Sequence, residues 1–295
     1  GEQLVKYGQI IGFAKTGIEP GDWVHTHNVE LRTVGRDYRF CDEITELPAL
    51  DGDEDTFLGI ARPGGKAGTR NYIGVISSVN CSASVSRYVA DRFRSSDFKS
   101  DFRNVDGVVA FTHKGGCSYD PNHGHEILQR VIAGMARHPN IGGYVLVGLG
   151  CEVNQVPGLV DKYHLDRLQD GEQAPTFLTI QQTGGVRKTV ESAVKAVQRM
   201  LPDVNALKRT TQPVSKLALA MNCGGSDANS GISANPALGV ASDQLVRQGA
   251  ASVFGETTEI YGAEHLLTRR AVTREVGEKL VSKTRWWEQH TAMFG

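Results

Sequence analysis

Val145-Leu146-Val147-Gly148-Leu149-Gly150-Cys151 is a short apolar run that ends abruptly in glycine and cysteine. It is strand-length and shows no apolar–polar alternation, the pattern of a strand buried on both faces. The same construction recurs at Val75-Ile76-Ser77-Ser78-Val79-Asn80-Cys81, at Val109-Ala110-Phe111-Thr112-His113-Lys114-Gly115-Gly116-Cys117 and at Leu217-Ala218-Leu219-Ala220-Met221-Asn222-Cys223. Working outward, strand-length apolar runs cover residues 72–79, 105–112, 143–149, 176–180, 216–221 and 251–254. Between them lie amphipathic stretches at 83–93, 125–136, 155–164, 186–200 and 238–248. Doubly buried strands alternating with amphipathic helices predict an α/β fold, a parallel sheet wound with helices on both faces.

All strands of a parallel sheet end on one edge, and ligands bind in the crevice outside it. Cys81, Cys117, Cys151 and Cys223 all fall just after predicted strands, and a fifth run carries Gln181-Gln182-Thr183-Gly184-Gly185 at that place. Asn80, His113, Glu152, Asn154, Gln155 and Asn222 are expected on the same edge. The plainer alternative is that cysteine simply suits a tight strand-to-helix turn. His113 is a catalytic candidate because of this topology, whereas His123 and His125 read equally as surface histidines. Glu152 is a candidate general base or ligand, or a helix-start carboxylate favoured by the macrodipole. Asn80, Asn154 and Gln155 are candidate substrate-binding amides.

Cys223-Gly224-Gly225-Ser226-Asp227 leads through Ser230-Gly231-Ile232-Ser233-Ala234-Asn235-Pro236 into a helix. Its backbone N–H groups can form an anion nest, with Gly224, Gly225, Ser226, Asp227 and Asn235 as substrate-binding candidates. The competing reading is an ordinary helix start with Asn235 as cap and Pro236 at the first helical position. The run matches neither a dinucleotide fingerprint nor a phosphate-loop lysine motif. His25-Thr26-His27-Asn28 places two imidazoles two residues apart, hence on one face if the segment is a strand. That makes His25 and His27 candidates for proton transfer and metal ligation, with Asn28 beside them. Two exposed histidines are the alternative.

Residues 1–45 are glycine-punctuated with short strands expected at 5–8, 9–14 and 21–29, and 46–70 read as a linker around Pro48, Asp51 and Arg62-Pro63-Gly64-Gly65. Residues 71–262 are expected to be one α/β core, followed by a charged helical segment over 263–295. The 295-residue chain carries 32 Lys and Arg against 33 Asp and Glu, which argues against a nucleic-acid or membrane-surface partner. No apolar run approaches membrane-spanning length. Five cysteines, an odd number with no secretory pattern before them, fit a reduced, cytoplasmic setting.

Read in order, a series of motifs resembles the altronate/galactarate dehydratase family. They are Lys6-Tyr7-Gly8 with Ile11-Gly12, Val24-His25-Thr26-His27-Asn28, Gly68-Thr69-Arg70-Asn71, Val79-Asn80-Cys81, His113-Lys114-Gly115-Gly116-Cys117, Arg137-His138-Pro139-Asn140, Gly148-Leu149-Gly150-Cys151-Glu152 with Asn154-Gln155, the Cys223–Pro236 run, and Glu256-Thr257-Thr258-Glu259. The resemblance implies a Rossmann-like core preceded by a SAF-like β module, of which only the second half is expected here, and a further C-terminal domain after residue 295. It adds Glu256 to the substrate-binding candidates. It implies metal-assisted loss of water from an aldonate or aldarate, such as altronate or galactarate, to give a 2-keto-3-deoxy acid. The metal is expected to be divalent, Fe2+ foremost and Mn2+ second.

His25, His27, Cys117 and Cys151 are the ligand candidates, because ferrous iron accepts imidazole and thiolate alike. Four strand-end thiols also raise an iron–sulfur cluster, although their spacing gives no local cluster motif. The expected partners are a small sugar acid and, at most, further copies of the chain. A carbon–sulfur lyase resembling sulfolactate sulfo-lyase, or a non-catalytic sugar-acid-binding fragment, are the alternatives.

Overall fold

The computed structural model describes residues 1–293 apart from Thr33, 47–49, Asp51, Ser95, Tyr119, Pro121, 167–173 and 225–228. It divides into two compact units, residues 54–217 and residues 1–53 with 218–295.

The N-terminal segment forms an antiparallel sheet of β1 (Gln3–Lys6), β2 (Gln9–Ala14) and β3 (Val29–Glu30), in that order. Tyr7, at φ +52°, and Gly8, at φ +74°, make the two-residue turn between β1 and β2 that the Lys6-Tyr7-Gly8 motif encodes. The strand expected over 21–29 is not there. Asn28 reaches back to the His25 N–H and bends residues 25–28 into a turn, so only Val29–Glu30 pairs.

The second unit opens with β4 (Thr56–Ala61) and β5 (Ala67–Gly68), inside the stretch read as a linker. Part of that stretch, including Pro48 and Asp51, lies outside the described residues. β4 is a strand because a distant partner completes it. Its ladder runs against β10 (Arg209–Pro213), whose Arg209 pairs with Ile60 and Pro213 with Thr56. Local composition carries no trace of that pairing.

Next come β6 (Tyr72–Ser77), α1 (Ala83–Asp91), α2 (Ser96–Asp101), β7 (Gly107–Phe111), α3 (His123–Ala136), β8 (Ile141–Gly148), α4 (Val156–Tyr163), β9 (Thr176–Thr179), α5 (Ile180–Thr183) and α6 (Val186–Ala206). The four strands form one parallel sheet in the order β7–β6–β8–β9. Alternate residues serve opposite faces. Ile73, Val75, Val145 and Val147 pack with Val85 and Val89 of α1 and with Val190, Ala193, Val197 and Leu201 of α6. Ile76, Tyr144 and Leu146 pack on the other face with Ile132 and Ala133 of α3 and Leu159 and Val160 of α4. The doubly wound α/β arrangement expected from the apolar runs is therefore present over residues 72–206.

The N-terminal edge of this sheet is fastened by the Arg70-Asn71 motif. Asn71, fully buried, donates its side-chain amide to the carbonyls of Asn104 and Val204, both at 2.8 Å. Its Oδ1 accepts from Arg62 at 2.8 Å, and its backbone N–H donates to Asp106 at 2.6 Å.

The strands β11 (Ala218–Met221) and β12 (Ala251–Phe254) do not join that sheet, contrary to a single core over 71–262. They pair in parallel with each other and belong to the first unit, together with α7 (Ala234–Arg247), α8 (Glu264–Arg269) and α9 (Arg274–Ala292). Helices do occupy residues 263–295, as expected, but they also anchor the chain between 36 and 43. Glu264, buried, accepts from Arg36, from the Tyr38 hydroxyl at 2.7 Å and from the Gly262 N–H at 2.6 Å. Cys41 and Glu43 donate their N–H groups to the carbonyls of Thr268 and Arg269. No helix among the described residues is long and apolar enough to cross a membrane.

Candidate functional site

In the parallel sheet, α1 follows β6 on one face and α4 follows β8 on the other, although β6 and β8 are neighbours. That reversal opens a crevice at the C-terminal edge between their loops, the place where such folds bind ligands. Cys81 stands on the β6 loop, Cys151 on the β8 loop and Cys117 on the β7 loop at the other side of β6. Backbone hydrogen bonds tie the loops together: Asn80 N–H to the Gly115 carbonyl at 2.8 Å and Val153 N–H to the Cys117 carbonyl at 2.9 Å. All three thiols are exposed and unbridged. The Cys81 thiol has its pKa pushed up, by burial first, then by the neighbouring Cys117 thiol through charge and hydrogen bonding, and then by the charge of Cys151. Cys81 therefore lies within reach of both other thiols at this edge.

The polar residues expected as catalytic groups at this edge are bonded to its loops. Glu152 is 2% exposed. Its Oε1 accepts from the Ser78 hydroxyl at 2.9 Å and the Leu149 N–H at 3.0 Å, and its Oε2 from the Gly150 N–H at 2.6 Å. Both carboxylate oxygens accept hydrogen bonds, which shape the Cys151 turn. Gly148 makes room for it, since a Cβ there would lie 2.5 Å from Glu152 Oε1. Asn154, also buried, donates to the Ser78 carbonyl at 2.9 Å and accepts from Gln129 at 3.1 Å. Gln155 donates to the Gly150 carbonyl at 3.1 Å while staying exposed.

His113 is held at both nitrogens. Nδ1 accepts from the Gly115 N–H at 3.0 Å and Nε2 faces the Ser77 carbonyl at 3.2 Å, which sets the neutral Nε2–H tautomer. Burial lowers its pKa. Asn80 is exposed and its Oδ1 accepts from the Cys81 thiol at 3.3 Å. His123 is exposed at the start of α3, and His125 is buried with Nε2 2.9 Å from the Gln129 amide.

Sequence reasoning missed the partners. Ser78 bonds Glu152, and the Gln181 Oε1 sits 2.7 Å from where a Cβ of Gly150 would be, which keeps Gly150, at φ +122°, a glycine. The signal for Ser78 was legible as two serines closing an otherwise apolar strand.

In the other unit, β11 and β12 end side by side. The Cys223 N–H donates to Glu256 at 3.0 Å and the Gly255 N–H to the Met221 carbonyl at 2.7 Å, so the two motifs meet. Gly224 is exposed there, whereas Gly225, Ser226 and Asp227 lie outside the described residues. Asn235 is not the cap of α7. Ser233 precedes the helix, and Asn235, already within it, donates its N–H to the Ser230 carbonyl at 2.8 Å.

His25 and His27 are both exposed beside Trp23, His25 stacked at 4.7 Å between ring centroids and His27 tilted at 5.5 Å. Asn28 is buried and structural: it accepts from the His25 N–H at 2.8 Å and donates to the Trp23 carbonyl at 3.0 Å. Of the residues expected as ligands, His25 and His27 belong to this turn and Cys117 and Cys151 to the sheet edge of the other unit. Among the described residues no three His, Cys, Asp or Glu side chains converge closely enough to hold one ion.

Three family descriptions match the chain in order. Residues 1–32 match the altronate/galactarate dehydratase SAF domain, 59–205 the second domain of D-galactarate dehydratase/altronate hydrolase, and 214–295 the C-terminal part of D-galactarate/altronate dehydratase. The junction between the last two matches, residues 205–214, lies a few residues before the division between the structural units at Leu217 and Ala218. The chain is 33% identical over 291 residues to an altronate dehydratase of Bacillus subtilis, which covers 98% of this chain and 56% of that protein. It is 37% identical over 306 aligned positions to a galactarate dehydratase (L-threo-forming) of Escherichia coli, covering 99% and 56%. The beta subunit of a (2R)-sulfolactate sulfo-lyase from Chromohalobacter salexigens is 29% identical over 224 residues, covering 76% and 52%. The chain therefore spans about half the length of these relatives. With all three domain descriptions in sequence and the dehydratases aligned almost end to end with it, the chain belongs to the altronate/galactarate dehydratase family.

Proposed function

We propose that the protein takes part in the dehydration of a sugar acid, an aldonate or aldarate of the altronate or galactarate kind, to a 2-keto-3-deoxy acid. The observation that carries this is the C-terminal edge of the parallel sheet. The N-termini of α1, α3, α4 and α6 gather there, and their backbone dipoles favour a carboxylate. Lys114 lies exposed beside Cys117 and Arg87 reaches the strand end at Thr112, 3.5 Å away, adding positive charge for the same anion.

The reaction removes the proton at C2, beside the carboxylate, and expels the hydroxyl at C3. A divalent metal, when bound, would supply Lewis acidity for the developing negative charge on the substrate oxygens. Soft thiolate donors at the edge suit iron. Glu152, Asn154 and His113 hold the loops in register, and the exposed His25 and His27 remain the proton-transfer candidates. Five unbridged cysteines support a reducing, cytoplasmic setting.

The dehydratases align over 98–99% of this chain and the sulfo-lyase subunit over 76%, which favours loss of water over loss of sulfite. Anaerobically purified protein supplied with ferrous iron is expected to release 2-keto acid from altronate or galactarate and no sulfite from sulfolactate. His27→Ala, assayed across pH, is expected to lower kcat by about 100-fold or more, as lost proton-transfer groups do. Sulfite release from sulfolactate, or sugar-acid binding without turnover at any pH, would reverse the reading.

A further inference from the structure

A groove of about 650 Å³ runs between residues 38–40 and one face of α9, and the sugar-acid reading makes no use of it. It is built wholly from the unit of residues 1–53 and 218–295, whereas the thiol-bearing sheet edge belongs to residues 54–217.

Three aromatic rings line the groove, those of Tyr38, Phe40 and Trp286. Each is fixed by its own neighbours. The Tyr38 hydroxyl donates to the buried Glu264 at 2.7 Å, which leaves the ring to form the wall. Phe40 rests against Gly277, where a Cβ would collide with its ring, and the Arg274 guanidinium lies over it at 4.9 Å. Trp286 stacks on His290, with 4.7 Å between ring centroids and 10° between planes, and meets Trp287 edge-on at 5.1 Å. Side chains already held in this way lose little further freedom when a ligand is laid on them.

The charges along the groove do not balance. Glu278 is paired with Arg274 at 3.1 Å. Lys283 and Arg285 are exposed, with no ion-pair partner among the described residues. Ser282 and Gln289 stand about one turn before and after Trp286 on α9, so they share its face and add a hydroxyl and an amide. The volume suits a ligand larger than a single ring or a single inorganic anion. Rings, two free cations and neutral hydrogen-bonding groups together match a planar base joined through a polyol to an anionic group.

We propose that this groove binds a nucleoside monophosphate, with the base on Trp286 and the phosphate met by Lys283 and Arg285. The ribose hydroxyls are then served by Ser282 and Gln289. Stacking accepts any base, because every base offers a π-face, so the site has little base preference. The binding is non-covalent and independent of the dehydratase reading.

Isothermal titration calorimetry of the full chain with adenosine monophosphate, adenosine and inorganic phosphate separates ring from charge. The nucleotide should bind at least about 10-fold more tightly than either part alone. Trp286→Ala should weaken nucleotide binding by about 10-fold or more, the scale of one lost stacked base, and Trp286→Phe should recover most of it. Lys283→Gln combined with Arg285→Gln should cause a comparable loss and abolish the weakening that added salt produces in the unaltered protein. Lys195→Gln, at an exposed position of α6 in the other unit, should change nothing. Trp286, Lys283 and Arg285 are exposed, so these variants should keep the melting temperature of the unaltered chain. Saturation-transfer NMR on the unaltered protein gives a second reading, in which the adenine ring protons should take up more saturation than the ribose protons. Three outcomes would each overturn the proposal: no nucleotide binding at millimolar concentration, binding matched by phosphate alone, or an affinity indifferent to the Trp286 and Lys283–Arg285 substitutions.

Discussion

At the scale of single residues, density of polar groups after a buried strand was legible, and its use was not. Glu152, Asn154 and Gln155 are packed into four positions because they tie loops together, and one partner of Glu152 is Ser78, 74 residues away. No local pattern could supply that pairing. The same holds for His25 and His27, whose shared face was inferred from a strand that Asn28 converts into a turn. Gly148 is the residue on which the Cys151 loop depends. Gly148→Ala is expected to cost about 1–3 kcal/mol, because the new methyl must displace Glu152 or Val156. Urea unfolding of the variant reads this directly. His113 adds a pH dependence. Its folded pKa lies below the ordinary 6.5, so its contribution is complete above that value and is lost as pH falls through the folded one. His138, lowered by burial and then by the charge of Lys66, acts in the same direction. Melting temperature should therefore fall on going from about pH 7.5 to 5, and His113→Gln should flatten part of that slope.

At the scale of elements, the apolar runs located β6, β7, β8 and β9 to within a few residues because both faces of that sheet are covered, and they located β11 and β12 as well, although these two strands keep exposed residues. β4 and β10 escaped notice because β10 is largely polar and the apolar run at 57–61 of β4 sits in a stretch punctuated like a linker, its partner far along the chain. The stretch 36–43 was equally hidden, as its structure is borrowed from α8 and α9. Burial alone would raise the Glu264 carboxyl. Hydrogen bonds from Tyr38 and the backbone, with the charge of Arg36, outweigh it and hold the group below the usual carboxylate range. Arg36→Met removes the charged partner and strands a buried carboxylate. The expected loss is about 3–5 kcal/mol in chemical unfolding, and Glu264→Gln in the same background should recover part of it.

At the scale of the whole molecule, the alternation of strand and helix identified the α/β class but not where the sheet stops. A parallel strand looks the same whether it joins four others or only one. β11 and β12 carry apolar residues like the rest, yet they pair with each other. The boundary at Leu217 is therefore a property of pairing rather than of composition. Asn71 shows what such long-range closure means in time. Its side chain is satisfied only when Arg62, Asn104 and Val204 have all arrived, the last from 133 residues along the chain. Contacts between segments so far apart form after the larger loop entropy has been overcome, and they are late events on the folding route. Asn71→Ala should therefore speed unfolding by roughly 10-fold or more while hardly slowing refolding, a split that stopped-flow kinetics resolves. Asn71 would then act as a latch on the finished fold, setting how long a molecule stays native rather than how quickly it becomes so.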